Sequence, residues 1–373
     1  MKVVQVLPAL EGGGVEQGAL EVARALTAAG HESVVVSKGG RLVDELERDG
    51  SRHVDWDVGR KHPSTLLAVR RFRRWLAEER PAILHARSRL PAWVCWLAWR
   101  EMPEAARPRF VTTVHGLYSV GRYSEIMTRG ERVIVVSDTA RQYVEANYPR
   151  VDMAKVERIF RGVDRNRFAR GFRPGEDWLA KWRSEFPACE GKALVVLPGR
   201  LTRLKGHHDF IDAIERLRPQ HPDIAGVVVG GIDPRHRSYA SELRRRGKDI
   251  VFAGHRSDLR EIMAIATAVL SLSQKPESFG RTVLEALSLG VPVVGYQHGG
   301  VGEILGHVYP GGRVPVGDTG AVADRLANVL DDPATAKRAI RDHDFDAERM
   351  CQATLALYRD LAGTRCSATG NEP

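Results

Sequence analysis

Residues 3–37, VVQVLPALEGGGVEQGALEVARALTAAGHESVVVS, contain the pattern from which the fold class is predicted. Val3–Leu7 is a short apolar run typical of a buried strand, Glu16–Ala29 has the apolar spacing of an amphipathic helix, and Ser33–Ser37 is again strand-like. A strand, a helix and a second strand in this order predict a βαβ unit, whose strands are parallel. We therefore expect an α/β domain with helices on both faces of its sheet.

The same alternation continues along the first half of the chain and is repeated in the second half. After a polar stretch at 161–187, Ala193–Leu197 starts a new series of strands and helices. We place a linker near Gly162–Gly175 and predict two Rossmann-like domains, 1–165 and 176–346, with parallel sheets that face each other across a cleft. The helical pattern at 347–362 has no strand after it, so we expect it to join the first domain. The further predicted strands are Ile83–His85, Phe110–His115, Val133–Ser137, Ile224–Gly230, Ile250–Ala253, Ala268–Leu272 and Val291–Tyr296.

The composition excludes several classes of protein. With 373 residues, of which 43% are hydrophobic and 28% charged, the chain is neither disordered nor collagen-like and is long enough for two cores. Its longest apolar runs, such as Ala264–Leu272, are far shorter than the ~20 residues that span a bilayer. No export signal follows Lys2, so we expect a cytoplasmic protein. Four scattered cysteines without a CxxC predict neither disulfides nor a structural zinc site: Cys95, Cys189, Cys351 and Cys366.

Positive charge is concentrated in the first half of the chain. The formal net charge is +9, and between Arg60 and Arg109 twelve Lys or Arg accompany only four Glu. The sequence leaves three interpretations of the helix Thr65–Glu79 open: contact with anionic lipid at the inner face of the cytoplasmic membrane, contact with an anionic acceptor, or a solvated face. No nucleic-acid-binding module is recognisable, so no nucleic acid partner is expected. The apolar residues of this helix are Leu66, Val69, Phe72 and Leu76, and the basic ones are Arg70, Arg71, Arg73 and Arg74.

Two loops after predicted strands have the residues expected for an anionic ligand. In the loop Leu10-Glu-Gly-Gly-Gly-Val-Glu, glycines allow backbone to approach a ligand at a helix amino terminus. A dinucleotide fingerprint would need glycine where the chain has Gln17, which weakens a dehydrogenase interpretation. In the second loop, Arg200 and Lys205 follow a strand and suit a diphosphate, although the order of residues is not that of a P-loop.

The segment Glu277-Ser-Phe-Gly-Arg-Thr-Val-Leu-Glu285 is the most informative one for function. A helix predicted from Ser278 to Leu289 would direct free amides near Gly280 at phosphate oxygens. Eight residues along a helix span roughly 12 Å, whereas the carboxyls of a retaining glycosidase lie about 5 Å apart. The two glutamates therefore suit opposite ends of one long ligand, a sugar at Glu277 and a ribose at Glu285.

Over nearly its whole length the chain resembles the retaining GT-B glycosyltransferases of glycosyltransferase family 4. The glycine-rich first loop and Arg161-Gly-Val-Asp164 are also similar to those of bacterial members that build lipopolysaccharide core sugars. The resemblance rests on this loop, Val114-His115-Gly116, Val135-Val136-Ser137, Gly162-Val163-Asp164, Gly199-Arg200 with Lys205, the E-x7-E segment and Leu289-Gly290-Val291-Pro292-Val293-Val294.

This resemblance implies an enzyme that moves a hexose from a nucleotide diphosphate sugar, expected to be a UDP-sugar, to a hydroxyl of a glycan or glycolipid with retention. The pathway implied is lipopolysaccharide core or other cell-envelope glycan synthesis. It further implies that Arg200 and Lys205 clamp the diphosphate, that Glu277 contacts the sugar and Glu285 the ribose, and that His115 lies beside the sugar. The implied catalytic residues are His115, Arg200, Lys205 and Glu277, and the other donor-binding residues are Gly13, Gly14, Gly254, Phe279, Gly280, Arg281, Thr282 and Glu285.

Three residues depart from the family pattern, and they bear on donor choice more than on reaction class. Arg161 stands where many members have Asn, and Ser278 and Arg281 stand at positions that are often Gly and Leu. Asp55-Trp56-Asp57 matches the DxD of metal-dependent transferases but lies in the first domain, away from the predicted diphosphate site. We therefore expect no metal and no cofactor besides the nucleotide sugar, which is a co-substrate.

Two alternatives remain open from the sequence. An epimerase or a phosphorylase can be built on the same two-domain frame, since fold does not fix chemistry, and phosphate dependence without a sugar acceptor would favour it. A basic membrane-binding or nucleic-acid-binding protein without catalysis is the second alternative. Salt-sensitive binding to DNA without affinity for nucleotide sugars would favour that one.

Overall fold

The computed structural model describes residues 1–59 and 65–368, which form two compact units. The first unit contains Met1–Gly162 and the chain from Asp346 onward, and the second contains Val163–Phe345. The division therefore falls at Gly162, and most of the segment predicted as a linker belongs to the second unit. Each unit has its own apolar core between a parallel sheet and helices.

The first unit is built on a seven-stranded parallel sheet with the strand order β3-β2-β1-β4-β5-β6-β7. Strand order reverses between β1 and β4, and in open α/β sheets ligands bind beside such a reversal, at the carboxyl ends of the strands. The strands are β1 Lys2–Val6, β2 Glu32–Ser37, β3 Arg52–Asp55, β4 Ile83–Ala86, β5 Arg109–Val114, β6 Arg132–Val135 and β7 Val156–Arg158. The helices between them are α1 Gly14–Ala28, α2 Val43–Arg48, α3 Thr65–Glu79, α4 Arg89–Arg100, α5 Arg122–Glu125 and α6 Asp138–Asn147.

The second unit repeats this plan with a six-stranded parallel sheet in the order β10-β9-β8-β11-β12-β13. Its order reverses between β8 and β11, so the loops after these two strands meet at one edge of the sheet. The strands are β8 Ala193–Pro198, β9 Ile224–Val229, β10 Ile250–Gly254, β11 Ala268–Ser271, β12 Val293–Tyr296 and β13 Arg313–Val314. The helices are α7 Glu176–Glu185, α8 His207–Leu217, α9 Arg237–Arg246, α10 Leu259–Ala264, α11 Arg281–Ser288, α12 Gly299–Val308, α13 Thr319–Asp331 and α14 Pro333–Arg338.

The last helix, α15, spans Ala347–Ala368 and is longer than the predicted 347–362. Met350 and Tyr358 of this helix are buried in one apolar cluster with Val22 and Leu26 of α1. Three short edge or near-edge strands, β3, β7 and β13, are additions to the predicted set. They have two to four residues each and carry charged side chains, so their sequences lack the apolar run that reveals a buried strand.

The basic helix α3 is present as predicted, with Phe72 and Leu76 buried and Arg70, Arg71 and Arg74 exposed. The side chain of Leu66 and the region around Arg60 lie outside what the structure describes. Across residues 1–59 and 65–368, every helix is too short or too polar to cross a bilayer.

Candidate active site

The centre of the candidate site in the second unit is an ion pair between Lys205 and Glu277. Lys205 Nζ lies 2.6 Å from Glu277 Oε1, and both side chains are about two-thirds buried. The Ser273 hydroxyl donates to the same carboxylate oxygen, and His298 Nε2 donates to the Ser273 carbonyl at 2.7 Å. Burial alone would raise the pKa of Glu277, but the Lys205 charge and the bonds from Lys205 and Ser273 outweigh it, so this pKa is lowered. Glu277 is thus held as a carboxylate that accepts hydrogen bonds.

Glycines hold the two halves of this pair in place. Gly206 ends the turn that carries Lys205 with φ +70°, and a Cβ there would overlap the Leu272 carbonyl. On the other side, the Gly300 N–H donates to the Glu277 carbonyl at 2.7 Å, and a Cβ on Gly300 would overlap the backbone of Phe279. Glycine at 206 and 300 is therefore a condition for bringing Lys205 and Glu277 together.

Four residues of this site were not predicted from the sequence: Ser273, His298, Gly299 and Gly300. Gly299 has φ +57°, and a Cβ there would lie 2.6 Å from the Glu277 carbonyl oxygen. The available signal was the Gly299-Gly300 pair itself, since it opens helix α12 shortly after strand β12, as Gly14 opens helix α1 after β1. The roles of Ser273 and His298 follow only from the three-dimensional arrangement.

Helix α11 starts beside the ion pair. It begins at Arg281, three residues later than the predicted Ser278, because Gly280 adopts a left-handed conformation with φ +103°. The amides of the first turn, at Arg281 and Thr282, are the ones that a helix leaves without partners inside itself. They are suitable donors to a phosphate oxygen.

Three of the predicted donor-binding side chains on this segment are engaged within the second unit. Arg281 Nε lies 2.9 Å from Glu285 Oε1, and both side chains are more than four-fifths buried. Phe279 is buried, with its ring edge-to-face against Phe345. Phe279 therefore contributes to the core, and only its backbone is available to a ligand.

The remaining predicted residues of the second unit, Arg200 and Gly254, lie at the carboxyl ends of β8 and β10. The Arg200 side chain is exposed, and among the described residues it has no hydrogen-bond or ion-pair partner. The Gly254 carbonyl accepts the Gly230 N–H at 2.8 Å, and a Cβ on Gly254 would meet no atom within 4 Å. Open space at Gly254 and an exposed cation at Arg200 leave room for a ligand at this edge.

In the first unit, Arg161 connects the glycine loop to His115. One Arg161 nitrogen donates to the Gly14 carbonyl, and Nη2 donates to His115 Nδ1 at 2.5 Å. A Cβ on Gly14 would lie 2.7 Å from Arg161 Nη1, so the end of the Arg161 side chain would have to shift. Because Nδ1 accepts, the proton of the neutral ring is on Nε2. Burial and the Arg161 charge lower the pKa of His115 well below its usual value, which keeps the ring neutral.

The second unit thus places a lysine, the first amides of α11 and the ionised carboxylate of Glu277 close together, a combination that can bind an anionic group and accept hydrogen bonds from hydroxyl groups. Within residues 1–59 and 65–368, no group of three or more acidic, His or Cys side chains is placed to hold a metal ion. Two Rossmann-like units with parallel sheets are the architecture of the GT-B class of glycosyltransferases.

Comparison with known proteins agrees with this class. The family "Glycosyltransferase Family 4" matches residues 12–167, and the family "Glycosyl transferases group 1" matches residues 180–343. A glycosyltransferase from Rickettsia africae has a similar structure, with a TM-score of 0.84 and 27% identity over 96% of this chain and 98% of that one. Anabaena HepE in complex with UDP and glucose has a TM-score of 0.81 and 21% identity over 96% of this chain and 99% of that one.

A curated relative is the lipopolysaccharide core biosynthesis mannosyltransferase LpsB of Rhizobium meliloti, with 30% identity over 54% of this chain and 60% of that protein. The chain belongs to the GT-B glycosyltransferases, with a family 4 domain followed by a group 1 domain. The fold class and the family resemblance derived from the sequence are confirmed.

Proposed function

We propose that the protein transfers a hexose from a UDP-sugar to a hydroxyl of a glycan or glycolipid, with retention at the anomeric carbon. The observation that carries the proposal is the Lys205–Glu277 pair at 2.6 Å beside the start of α11. A cation for the diphosphate and a carboxylate for the sugar are adjacent there. The relation to LpsB and the fold shared with UDP-bound HepE support lipopolysaccharide core or other cell-envelope glycan synthesis and a UDP donor.

In this proposal Arg200, Lys205 and the first amides of α11 bind the diphosphate. Glu277 accepts hydrogen bonds from the sugar hydroxyls, and Glu285, oriented by Arg281, accepts them from the ribose. Negative charge grows on the diphosphate as its bond to the anomeric carbon breaks, so the cations stabilise the transition state more than the bound substrate. These cations take the place of a metal ion, and we propose a reaction without metal or other cofactor.

Retention is proposed as a substitution on one face of the sugar. The bond between the anomeric carbon and the diphosphate oxygen breaks, the acceptor oxygen forms the new bond from the same side, and the acceptor proton passes to the departing diphosphate. Family resemblance is the support for this route and for His115 Nε2–H beside the sugar. A neutral His115 donates one hydrogen bond without adding charge.

The exposed arginines of α3, Arg70, Arg71 and Arg74, support peripheral contact with an anionic membrane surface. Arg71 also stacks on Trp56 at 4.7 Å, which keeps part of this charge on the surface of the first unit. We propose that the cytoplasmic location expected from the sequence is at the inner face of the membrane, where a glycolipid acceptor would be found.

A thermal-shift panel with UDP, UDP-glucose, UDP-galactose, GDP-mannose and ADP-glucose tests the donor. Because a ligand that binds the native state raises the melting temperature, we expect UDP and a UDP-hexose to give the largest shifts, with and without EDTA. Slow hydrolysis of that donor, followed by NMR, should release the sugar with the anomeric configuration it had in the donor. A shift only with GDP- or ADP-sugars, a requirement for metal, or an inverted product would contradict the corresponding part of the proposal.

A further inference from the structure

The first unit has an aromatic surface immediately after His115, at the carboxyl ends of β4 and β5. The chain leaves β5 at Val114 and continues through the segment 116–124, which includes the start of the short helix α5. In this segment Val120 is 58% exposed and Tyr123 is 41% exposed, whereas most large apolar side chains in the described part of the first unit are buried. Strand order reverses beside β4, and open α/β sheets bind ligands at such a reversal.

Arg89 connects the two tyrosines of this segment. Its guanidinium carbon lies 4.6 Å from the ring centre of Tyr118 and 5.2 Å from that of Tyr123. Nη1 donates to the Ser124 hydroxyl at 3.2 Å, and no carboxylate in the part of the chain that the structure describes pairs with Arg89. Because a guanidinium group has five N–H donors, several are left for a ligand. We call Arg89, Tyr118 and Tyr123 the aromatic platform.

The stability of helix α4 does not explain a cation at this place. Arg89 is the first residue of α4, and the first turn of this helix contains no acidic residue. The amino terminus of a helix favours negative charge, so a cation there is unfavourable for the helix. Binding of a ligand therefore accounts for Arg89 better than a role in the helix does.

Side chains of α4 and α6 hold the backbone under the platform. Trp93 Nε1 donates to the Tyr123 carbonyl at 3.0 Å, and the Tyr143 hydroxyl donates to the Tyr118 carbonyl at 2.8 Å. Ser124, which accepts the bond from the platform arginine, is only 3% exposed. The exposed ring of Tyr123 thus stands on a fixed backbone, which reduces the conformational entropy that is lost when a ligand binds.

The platform adjoins the residue that the family resemblance places beside the donor sugar. Tyr118 is three positions after His115, and its ring packs on Gly116, where a Cβ would lie 3.0 Å from Tyr118 Cε1. Burial raises the pKa of Tyr118, and the charges of Arg89 and Arg161 oppose this rise, so both cations lie near the Tyr118 hydroxyl. Since Arg161 contacts His115, a molecule on the platform is next to the proposed position of the reaction.

We propose that the aromatic platform binds the acceptor as a saccharide, with the C–H face of a sugar ring stacked on Tyr123 and the sugar hydroxyls accepting hydrogen bonds from Arg89. Tyr118 holds the guanidinium group in place by its cation–π contact. A sugar ring has both an apolar face and a rim of hydroxyls, whereas an alkyl chain would cover the Arg89 donors without pairing them. This inference rests on the proposed transfer reaction and adds the residues that bind its acceptor.

UDP release at saturating UDP-hexose tests the platform, with the methyl and octyl glycosides of glucose, galactose, mannose and N-acetylglucosamine as acceptor probes. For each probe that the native protein uses, Tyr123→Ala and Arg89→Gln should raise the acceptor KM at least tenfold and change kcat little, because these contacts are the same in ground and transition states. The methyl and octyl forms of one sugar should be affected equally. Tyr123→Phe retains the ring, so it should restore the KM to within threefold of the native value.

Arg100→Gln is the matched control. Arg100 is the last residue of the same helix, and it stacks on Trp96 at 4.8 Å as Arg89 stacks on the tyrosines. Its replacement should leave the acceptor KM within twofold. The affinity for UDP, measured by calorimetry on the same samples, should also stay within twofold in every variant, because the proposed donor site is in the second unit.

An unchanged acceptor KM in both platform variants would overturn the proposal. An increase confined to the octyl glycosides would assign the platform to an alkyl chain and overturn it as well, and so would a native protein that binds UDP but uses none of the probes. If Arg89→Gln does not fold, Tyr123→Ala decides alone, since that side chain is exposed. Failure of the native protein to bind UDP is a separate result, which would overturn the proposed transferase function together with the platform.

Discussion

Replacement of Lys205 by Met separates a catalytic role of this residue from a structural one. The ion pair with Glu277 is about one-third exposed at each partner, so its contribution to the free energy of unfolding should be about 1 kcal/mol or less. For a unit of this size, that corresponds to a fall in melting temperature of about 2–4 °C. If Lys205 stabilises charge on the departing diphosphate, its loss should instead reduce kcat/KM about 10²-fold, or about 2.7 kcal/mol of transition-state stabilisation.

The assay measures UDP release at a range of donor concentrations, with melting temperatures from the same samples. Arg203→Met is the matched control, because Arg203 lies two residues earlier, is 69% exposed and pairs with Glu242 at 3.3 Å. It should retain activity within about twofold. Near-native turnover by the Lys205 variant, or an activity loss fully explained by unfolding, would refute the catalytic role.

The same variant should change the pH dependence of the reaction. Burial raises the pKa of Glu277, and Lys205 is the main group that outweighs it. Removing Lys205 should therefore move the acid limb of kcat/KM to higher pH. In the native protein, the stabilisation that ionised Glu277 contributes is lost only as pH falls through its lowered pKa. An acid limb at the same pH in both proteins would argue against Glu277 as the ionised group. The profile should be recorded with Arg203→Met as well.

Further predictions concern the glycine support, the ribose contact and the basic helix. Gly300→Ala should weaken UDP-sugar binding at least tenfold by displacing the Glu277 loop. Gly311→Ala should not, because a Cβ at Gly311 has no atom within 4 Å. Equal binding by both variants would count against the role of Gly300 in supporting this loop. Glu285→Gln should raise KM for the UDP-sugar about tenfold in kinetic assays and change kcat little, since the ribose contact is the same in ground and transition states. Neutralising Arg70, Arg71 and Arg74 should reduce flotation with anionic liposomes, with an Arg244/Arg245 double variant as the control; unchanged flotation would remove the membrane proposal.

The apolar strands and the helices between them were predictable because strands that are buried on both faces of a sheet consist of continuous apolar runs. Val3–Val6 and Ala193–Leu197 have this form. The strand β3, RHVD, does not, because an edge strand tolerates charged residues. The late start of α11 was missed for a local reason: Gly280 takes a left-handed conformation, which the surrounding sequence does not indicate.

The types of site residue were predictable, but their pairings were not. Lys205 and Glu277 are 72 positions apart, and His115 and Arg161 are 46 apart, so each contact exists only once the sheet has brought its loops to one edge. The departure of Arg161 from the family pattern was visible in the sequence, and the structure shows what it contacts. Phe279 illustrates a different case, since the motif identified it as donor-binding without indicating that its side chain packs in the core.

A crystal structure of the protein with an intact UDP-hexose would show the donor site itself. We expect diphosphate oxygens within hydrogen-bond distance of Lys205, Arg200 and the first amides of α11, with a sugar hydroxyl on Glu277 and the ribose on Glu285. A nucleotide sugar bound elsewhere, or a diphosphate held without contact to Lys205, would contradict this expectation.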